Sequence, residues 1–207
     1  MTILMLFIAA AAAYLIGNIQ TAVIISRLKY KDDVRNHGSG NAGSTNMLRV
    51  FGIKPGLFTF AGDFLKGILA VIVGRLVAGE PGGYVAGLFV VLGHCYPVFL
   101  KFRGGKGVAS TFAVAWMINP LIAGIVTVFA LLVILLTKTM AVMSLAGTTL
   151  YLLLTLIFSW SNTYAVVLFS LLWVVVMLRH WENLQRIYHG QEGQLTIGKR
   201  SKENEAK

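Results

Sequence analysis

PLIAGIVTVFALLVILLT, residues 120–137, is a run of eighteen residues without a charged side chain, closed by Asn119-Pro120 on one side and Lys138 on the other. A helix rises about 1.5 Å per residue, so a run of this length comes close to the ~30 Å hydrocarbon core of a bilayer. The same reading extends outward to runs at 140–158 and 164–178, and backward to 3–26, 56–78 and 83–99. Breaker residues separate them: Pro55, Glu80-Pro81, the stretch from Arg103 to Lys106, and the polar stretch from Ser159 to Asn162. A seventh run, 107–118, is too short for an upright crossing and reads as a short or tilted helix, a re-entrant segment, or a helix continuing into the polar loop before it. The expected fold is all-α, a polytopic membrane protein of about seven transmembrane helices.

Composition agrees. The 207 residues are 57% hydrophobic and 13% charged, against about 25% charged in soluble domains. A net charge of +10 raises the question of nucleic acid. Positive loops on the cytoplasmic side of a membrane protein account for it better, so no nucleic-acid partner is expected. Cys95 is the only cysteine, which excludes an internal disulfide and leaves packing as its reading. Carboxylates and histidines do not cluster with ligand spacing, so neither a metal nor another cofactor is expected. Residues up to Ser26 carry no charged side chain, unlike the positive start of a signal peptide, and read as a retained helix.

Orientation follows from the basic residues. With seven spans and the N-terminus outside, all of the 18 Lys and Arg except Lys66 and Arg75 fall in inside segments, as the positive-inside rule requires. The C-terminus is then cytosolic. Residues 1–190 read as one transmembrane helical domain and 191–207 as a polar, flexible cytosolic tail.

Three polar segments, 39–49, 101–110 and 179–192, end apolar runs, and the span count puts all three on the cytosolic side. The first, His-Gly-Ser-Gly-Asn-Ala-Gly-Ser-Thr-Asn-Met-Leu-Arg at 37–49, matches the spacing of a dinucleotide-binding glycine motif. It lacks the preceding strand that motif needs, and Ser44 stands where a Walker A loop needs lysine. Its chemistry survives: glycines let backbone amides converge, Ser39, Asn41, Ser44, Thr45 and Asn46 add polar groups, and Arg49 offers a planar fork to phosphate oxygens. The second segment sets Lys106 between glycines, where it can reach a phosphate, and follows His94 at the end of an apolar run. The third places His180 and Asn183 on one helical face, with Arg186 a turn further. In the second run, Asp63 and Lys66 at i, i+3 read as a mutual salt bridge or as a contact from Asp63 to a basic loop, structural rather than catalytic. Ser144 and Thr148 are hydroxyls of the sixth span able to meet a substrate or a neighbouring helix.

Together the segments resemble the bacterial acyl-phosphate-dependent glycerol-3-phosphate acyltransferase family. Gly38 to Arg49 is similar to its first motif, Gly93-His94 through Pro97 to Gly104-Gly-Lys-Gly-Val108 to its second, and Arg179-His-Trp-Glu-Asn-Leu-Gln-Arg186 with Gly190-Gln-Glu192 to its third. Asp63-Phe-Leu-Lys66-Gly67 also fits the family. Ser44 stands where Ala is usual, and Ala141 replaces a frequent Ser, leaving Ser144 in that stretch.

The resemblance implies transfer of a fatty acyl group from acyl phosphate to the 1-hydroxyl of sn-glycerol 3-phosphate, giving lysophosphatidic acid and phosphate in the first step of phospholipid synthesis. It places the chain in a bacterial inner membrane, with membrane lipids around it and the site on the cytosolic face. Two phosphorylated substrates explain several cationic segments. A His-x4-Asp pair of the acyl-thioester-dependent enzymes is absent, since His37, His94, His180 and His189 precede Ala42, Phe99, Gln185 and Gln194 at that spacing. The expected phosphate and substrate contacts are Ser39, Asn41, Ser44, Thr45, Asn46, Arg49, Lys106, Ser144, Arg186 and Glu192. His180 with Asn183 would orient the acceptor, Lys106 would stabilise charge, and His94 is the other candidate base. A substrate phosphate could also take the proton. An organophosphate transporter is the rival class; it would place charge at the midplane in repeated, broken helices, whereas these groups crowd one face.

Overall fold

The run 120–137 is one uninterrupted helix, and its ends show why it stops where it does. Asn119 Oδ1 accepts a hydrogen bond from the Ile122 amide at 3.2 Å, and Pro120 occupies the first helical position, where no amide is lost. Lys138 adopts the left-handed conformation that ends it.

The structure is a computed structural model that describes residues 2–195. In chain order it comprises α1 (Ile3–Gly17), α2 (Thr21–Tyr30), a 3-10 turn (Val34–Asn36), α3 (Ser44–Phe51) and α4 (Ile53–Cys95). A second 3-10 turn (Val98–Leu100), α5 (Val108–Ile118), α6 (Pro120–Thr137), α7 (Met140–Phe158), α8 (Thr163–Arg179) and α9 (Trp181–Tyr188) follow. No strand occurs among the described residues.

α4 is a hairpin rather than a rod. Its backbone leaves helical geometry at Ala78 and at Gly79, where φ is +62°, just before Pro81. The Lys66 Nζ lies 2.9 Å from His94 Nδ1; along a straight helix 28 residues would separate them by about 42 Å. Residues 53–77 and 80–95 therefore run back along each other. A Cβ on Gly74 or Gly82 would overlap the other's carbonyl, so the bend depends on glycine at both.

The first apolar run is broken, contrary to the expectation of one helix over 3–26. Its helix stops at Gly17 and restarts at Thr21. The gap is stabilised from outside: Lys66 Nζ donates to the Ile19 carbonyl at 2.6 Å, and Gln20 Nε2 donates to the carbonyls of Gly17 and His94 at 3.2 and 3.0 Å. Irregular backbone inside a membrane protein persists only where protein supplies such partners. Gly17 faces the backbone of Val90 and Gly93, so α1 crosses α4 at near-backbone contact.

The core lies where the second arm of α4 meets α1, α5 and α8, around Val90, Val91, Val114, Phe169 and Leu172. The buried Cys95 belongs to it. Outside this core the surface is greasy: Leu121, Leu131, Leu132, Leu135 and Leu136 all stand exposed on α6. Such a face suits lipid and not water. By length and apolarity, the segments Ile3–Tyr30, Ile53–Leu100, Pro120–Thr137 and Met140–Phe158 qualify as crossing a membrane. α8 with α9 makes a fifth if the pair, bent by 63°, counts as one. α5 has only 11 residues. Each of the expected seven runs is mostly helical, the first of them broken, while four or five elements meet the crossing criterion.

In residues 191–195, the start of the expected tail, Glu192 accepts from Arg186 on α9 and the Leu195 amide donates to the Lys138 carbonyl at 2.8 Å, while Gln191, Gly193 and Gln194 are exposed. Residues 196–207 of that expected tail lie outside the described residues.

Candidate active site

The loop before α3 is built around one amide. Asn46 is buried; its Oδ1 accepts from the Ser39 amide at 3.0 Å, and its Nδ2 faces the carbonyls of Val34, His37 and Asn41 at 3.0–3.1 Å. Asn46 therefore shapes the loop, because its capacity is used internally. Gly38 has φ +58° and lies against Asn46, so no side chain fits there. The loop brings Ser39 and Asn41 beside the first turn of α3, Ser44 and Thr45, whose leading amides have no helical acceptor. Arg49, one turn on, has no carboxylate or carbonyl partner among the described residues and faces the same space.

Opposite stands the Gly104–Gly107 loop. Arg179 holds it by donating to the carbonyls of Gly105 and Gly104 at 3.1 and 3.4 Å, while its guanidinium stacks on Tyr96 at 5.2 Å. Lys106 projects from this loop and donates to Asn183 Oδ1. Burial, then the Arg186 charge, push its ammonium down to about 8, with Glu192 and Glu182 opposing and Arg179 adding slightly to the fall. Asn183 Nδ2 in turn donates to Glu192 Oε1 at 2.8 Å, and Glu192 Oε2 accepts from Arg186 Nε at 2.8 Å. Lys106, Asn183, Glu192 and Arg186 form one hydrogen-bonded chain. Glu192 thus acts through its neighbours, since a carboxylate repels phosphate directly.

His180 sits at the bend between α8 and α9. Its Nδ1 pairs with the Val176 carbonyl at 2.9 Å. A carbonyl can only accept, so the hydrogen is on Nδ1 and the lone pair on Nε2. Ser144 spends its proton on the Met140 carbonyl at 2.8 Å, which leaves it an acceptor rather than a phosphate donor.

Beneath these groups lies a buried hub that the sequence only half revealed. Lys66 and Asp63 form the expected salt bridge at 2.7 Å. Thr21 Oγ1 donates to Asp63 Oδ1 at 3.1 Å, and Ser110 Oγ to the Asp63 carbonyl at 3.1 Å. His94 joins through Lys66, and its carbonyl accepts from the Gly105 amide at 3.1 Å, tying the hub to the Lys106 loop. The roles of Gln20, Thr21 and Arg179 were missed. The signal for the first two was polarity in the middle of an apolar run.

These walls line two spaces that share several residues. The inner, of about 140 Å³, is lined by Arg49, Lys106, His180, Asp63 and His94 together with the apolar Phe60, Met140 and Met143. The outer, of about 790 Å³, opens past Phe102, Arg103 and Trp181. Ser39, Asn41, Arg49, Lys106, Arg186 and Glu192 face both. All the residues expected at the site from sequence face one or both spaces.

Cations and apolar side chains lining one chamber suit an amphipathic phosphorylated ligand, and comparison with known proteins points the same way. Residues 7–190 match the family model described as glycerol-3-phosphate acyltransferase. The chain is 42% identical over 186 residues to the glycerol-3-phosphate acyltransferase of Thermoanaerobacter pseudethanolicus, covering 90% of this chain and 93% of that protein. To the Bacillus subtilis glycerol-3-phosphate acyltransferase it is 38% identical over 182 residues, covering 87% and 92%. Its fold is similar to a crystal structure of PlsY (YgiH), an integral membrane glycerol 3-phosphate acyltransferase, in the glycerol 3-phosphate form, with TM-score 0.86, 32% identity and coverage of 92% and 96%. The lysophosphatidic acid form matches with TM-score 0.80, 30% identity and coverage of 91% and 94%. The chain is a member of the glycerol-3-phosphate acyltransferase family.

Proposed function

We propose that the chain transfers a fatty acyl group from acyl phosphate to the 1-hydroxyl of sn-glycerol 3-phosphate, releasing phosphate and lysophosphatidic acid. The observation that carries this reading is the convergence of Arg49, Lys106 and the first turn of α3 on one chamber whose wall also includes the apolar Phe60, Met140 and Met143. Backbone amides at a helix start and fixed cations bind phosphate. The apolar part of the lining suits a hydrocarbon tail. Ser39, Asn41, Ser44 and Thr45 complete the cradle, and Arg186 stands at its rim.

Acyl phosphate carries a good leaving group, so direct attack by the glycerol hydroxyl needs no covalent enzyme intermediate. Positioning and charge stabilisation supply the catalysis. As the new C–O ester bond forms, the bond from the carbonyl carbon to the phosphate oxygen breaks, and phosphate leaves with the electron pair against Lys106 and Arg49. The hydroxyl proton passes to His180 Nε2, the ring nitrogen that Val176 leaves free, with Asn183 holding Lys106 in place. Replacing His180 with Gln tests this: kcat falls by about 10²-fold or more if His180 is the base, and near-full kcat assigns the proton to a substrate phosphate.

The chain forms one transmembrane domain through residue 190, with seven helical passes counting both arms of α4 and α5, N-terminus outside and C-terminus inside. It resides in a bacterial inner membrane with the site on the cytosolic face. The charge distribution supports that placement. Acyl phosphate and the surrounding lipids reach the chamber from that membrane.

A further inference from the structure

We propose that His94 is a catalytic residue acting as a hydrogen-bond donor to the acyl carbonyl oxygen, not as a base. The inference rests on the acyl-transfer reading above and concerns a group that the phosphate cradle and His180 leave without a task.

Its hydrogen position follows from the hub. The Lys66 ammonium has three hydrogens and no lone pair, and it contacts the Ile19 carbonyl at 2.6 Å, Asp63 Oδ1 at 2.7 Å and His94 Nδ1 at 2.9 Å. Each of these atoms must accept. Nδ1 therefore holds the lone pair, already spent on Lys66, and the hydrogen of the neutral ring is on Nε2. A base needs a free lone pair, and His94 has none to give a substrate.

The Nε2–H is a donor without an acceptor. His94 is only 3% exposed, yet Nε2 has no hydrogen-bond partner among the described residues, and the ring forms part of the inner chamber's wall. Gly105 lies beside it: a Cβ there would fall on Nε2, so glycine leaves that edge of the ring uncovered. A donor left without a protein partner at the wall of a cavity is completed by water or by a ligand.

The chamber's mixed lining points to the acceptor. In acyl phosphate the carbonyl lies between the hydrocarbon tail and the phosphate. In the chamber, Asp63 and His94 share a wall with the apolar groups Phe60, Met140 and Met143 and with the cations Arg49 and Lys106. Attack converts the carbonyl oxygen to an oxyanion, which the Nε2–H stabilises without giving up its proton. The proton count of the reaction is unchanged: the hydroxyl proton goes to His180 or phosphate, and the C=O bond re-forms as phosphate departs.

Two variants and one spectrum test this. In His94→Asn the amide oxygen can replace Nδ1 as the acceptor for Lys66 but the side chain ends short of the chamber; His94→Gln carries an N–H near the position of Nε2. The expected result is a loss of kcat of about 10²–10³-fold in His94→Asn, the usual effect of deleting one oxyanion donor, with KM for both substrates nearly constant and partial rescue in His94→Gln. Equal losses in both variants, or a loss confined to KM, overturn the proposal. Independently, a carbonyl-13C β-ketophosphonate analogue of acyl phosphate is bound to the wild-type enzyme and its C=O infrared band recorded. A band shifted to lower frequency than in detergent alone, and restored in His94→Asn, is expected. An unshifted wild-type band overturns the donor role even if the variants do not fold. An analogue that does not bind at all overturns the acyl-phosphate reading on which the proposal stands.

Discussion

Lys106 shows how one residue's surroundings set its chemistry. Burial and the Arg186 charge lower its pKa to about 8. Below that value the ammonium is present and attracts phosphate; as pH rises through it, the charge is lost. Accordingly kcat/KM, which reports ionisations of the free enzyme, is expected to decline above about pH 8. Lys106→Arg, whose guanidinium stays charged throughout this range, is expected to lose that limb while working more slowly overall. A pH profile of both proteins, corrected for substrate ionisation, checks it; an unchanged limb in Lys106→Arg assigns the decline elsewhere. Single residues were legible in part. Arg49 and Lys106 stand out in sequence because glycines flank them or hydroxyls crowd them. Asn46 looked like a ligand for the same reason, and only the structure shows its amide occupied by loop carbonyls. Hydrogen direction at Ser144, His94 and His180 depends on partners distant in sequence or on rotamers, which no local pattern encodes.

At the scale of elements, the break between α1 and α2 and the hairpin of α4 form one device. The break frees the Ile19 carbonyl, the hairpin returns His94 to Lys66, and Asp63 compensates the Lys66 charge. Removing one partner of a buried pair while leaving the other charged costs about 3–5 kcal/mol. Asp63→Asn is therefore expected to lower the detergent-solubilised melting temperature markedly. Asp63→Asn with Lys66→Met, which removes both charges, is expected to recover much of that loss. Thermal unfolding followed by tryptophan fluorescence decides, and an unaffected single variant contradicts the hub's structural role. Gly17 supplies a second check: Gly17→Leu would push α1 off Val90 and Gly93 and should likewise lower the melting temperature. The sequence marks these elements unevenly. Pro81 and the neighbouring charge signal the hairpin, but Asn18 to Thr21 lie in a run apolar enough to read as one helix.

Across the whole molecule, apolar runs and basic loops carry most of the architecture, because a bilayer imposes helices of set length and a sign on each side. What they do not carry is depth: α5 and the bend at His180 take their places from packing on α4 and α8. The proposed orientation has a direct test. Single cysteines at Lys31, Lys138 and Gln194, in a Cys95→Ala background, should react with impermeant maleimide only after the cytoplasmic side is opened. Labelling of intact cells at Lys138 would contradict seven passes. The acyl transfer itself is measured with purified protein in lipid nanodiscs, synthetic acyl phosphate and glycerol 3-phosphate. We expect lysophosphatidic acid and inorganic phosphate to appear in equal amounts, with both lost in Lys106→Ala. Absence of lysophosphatidic acid from the folded wild-type protein would contradict the account.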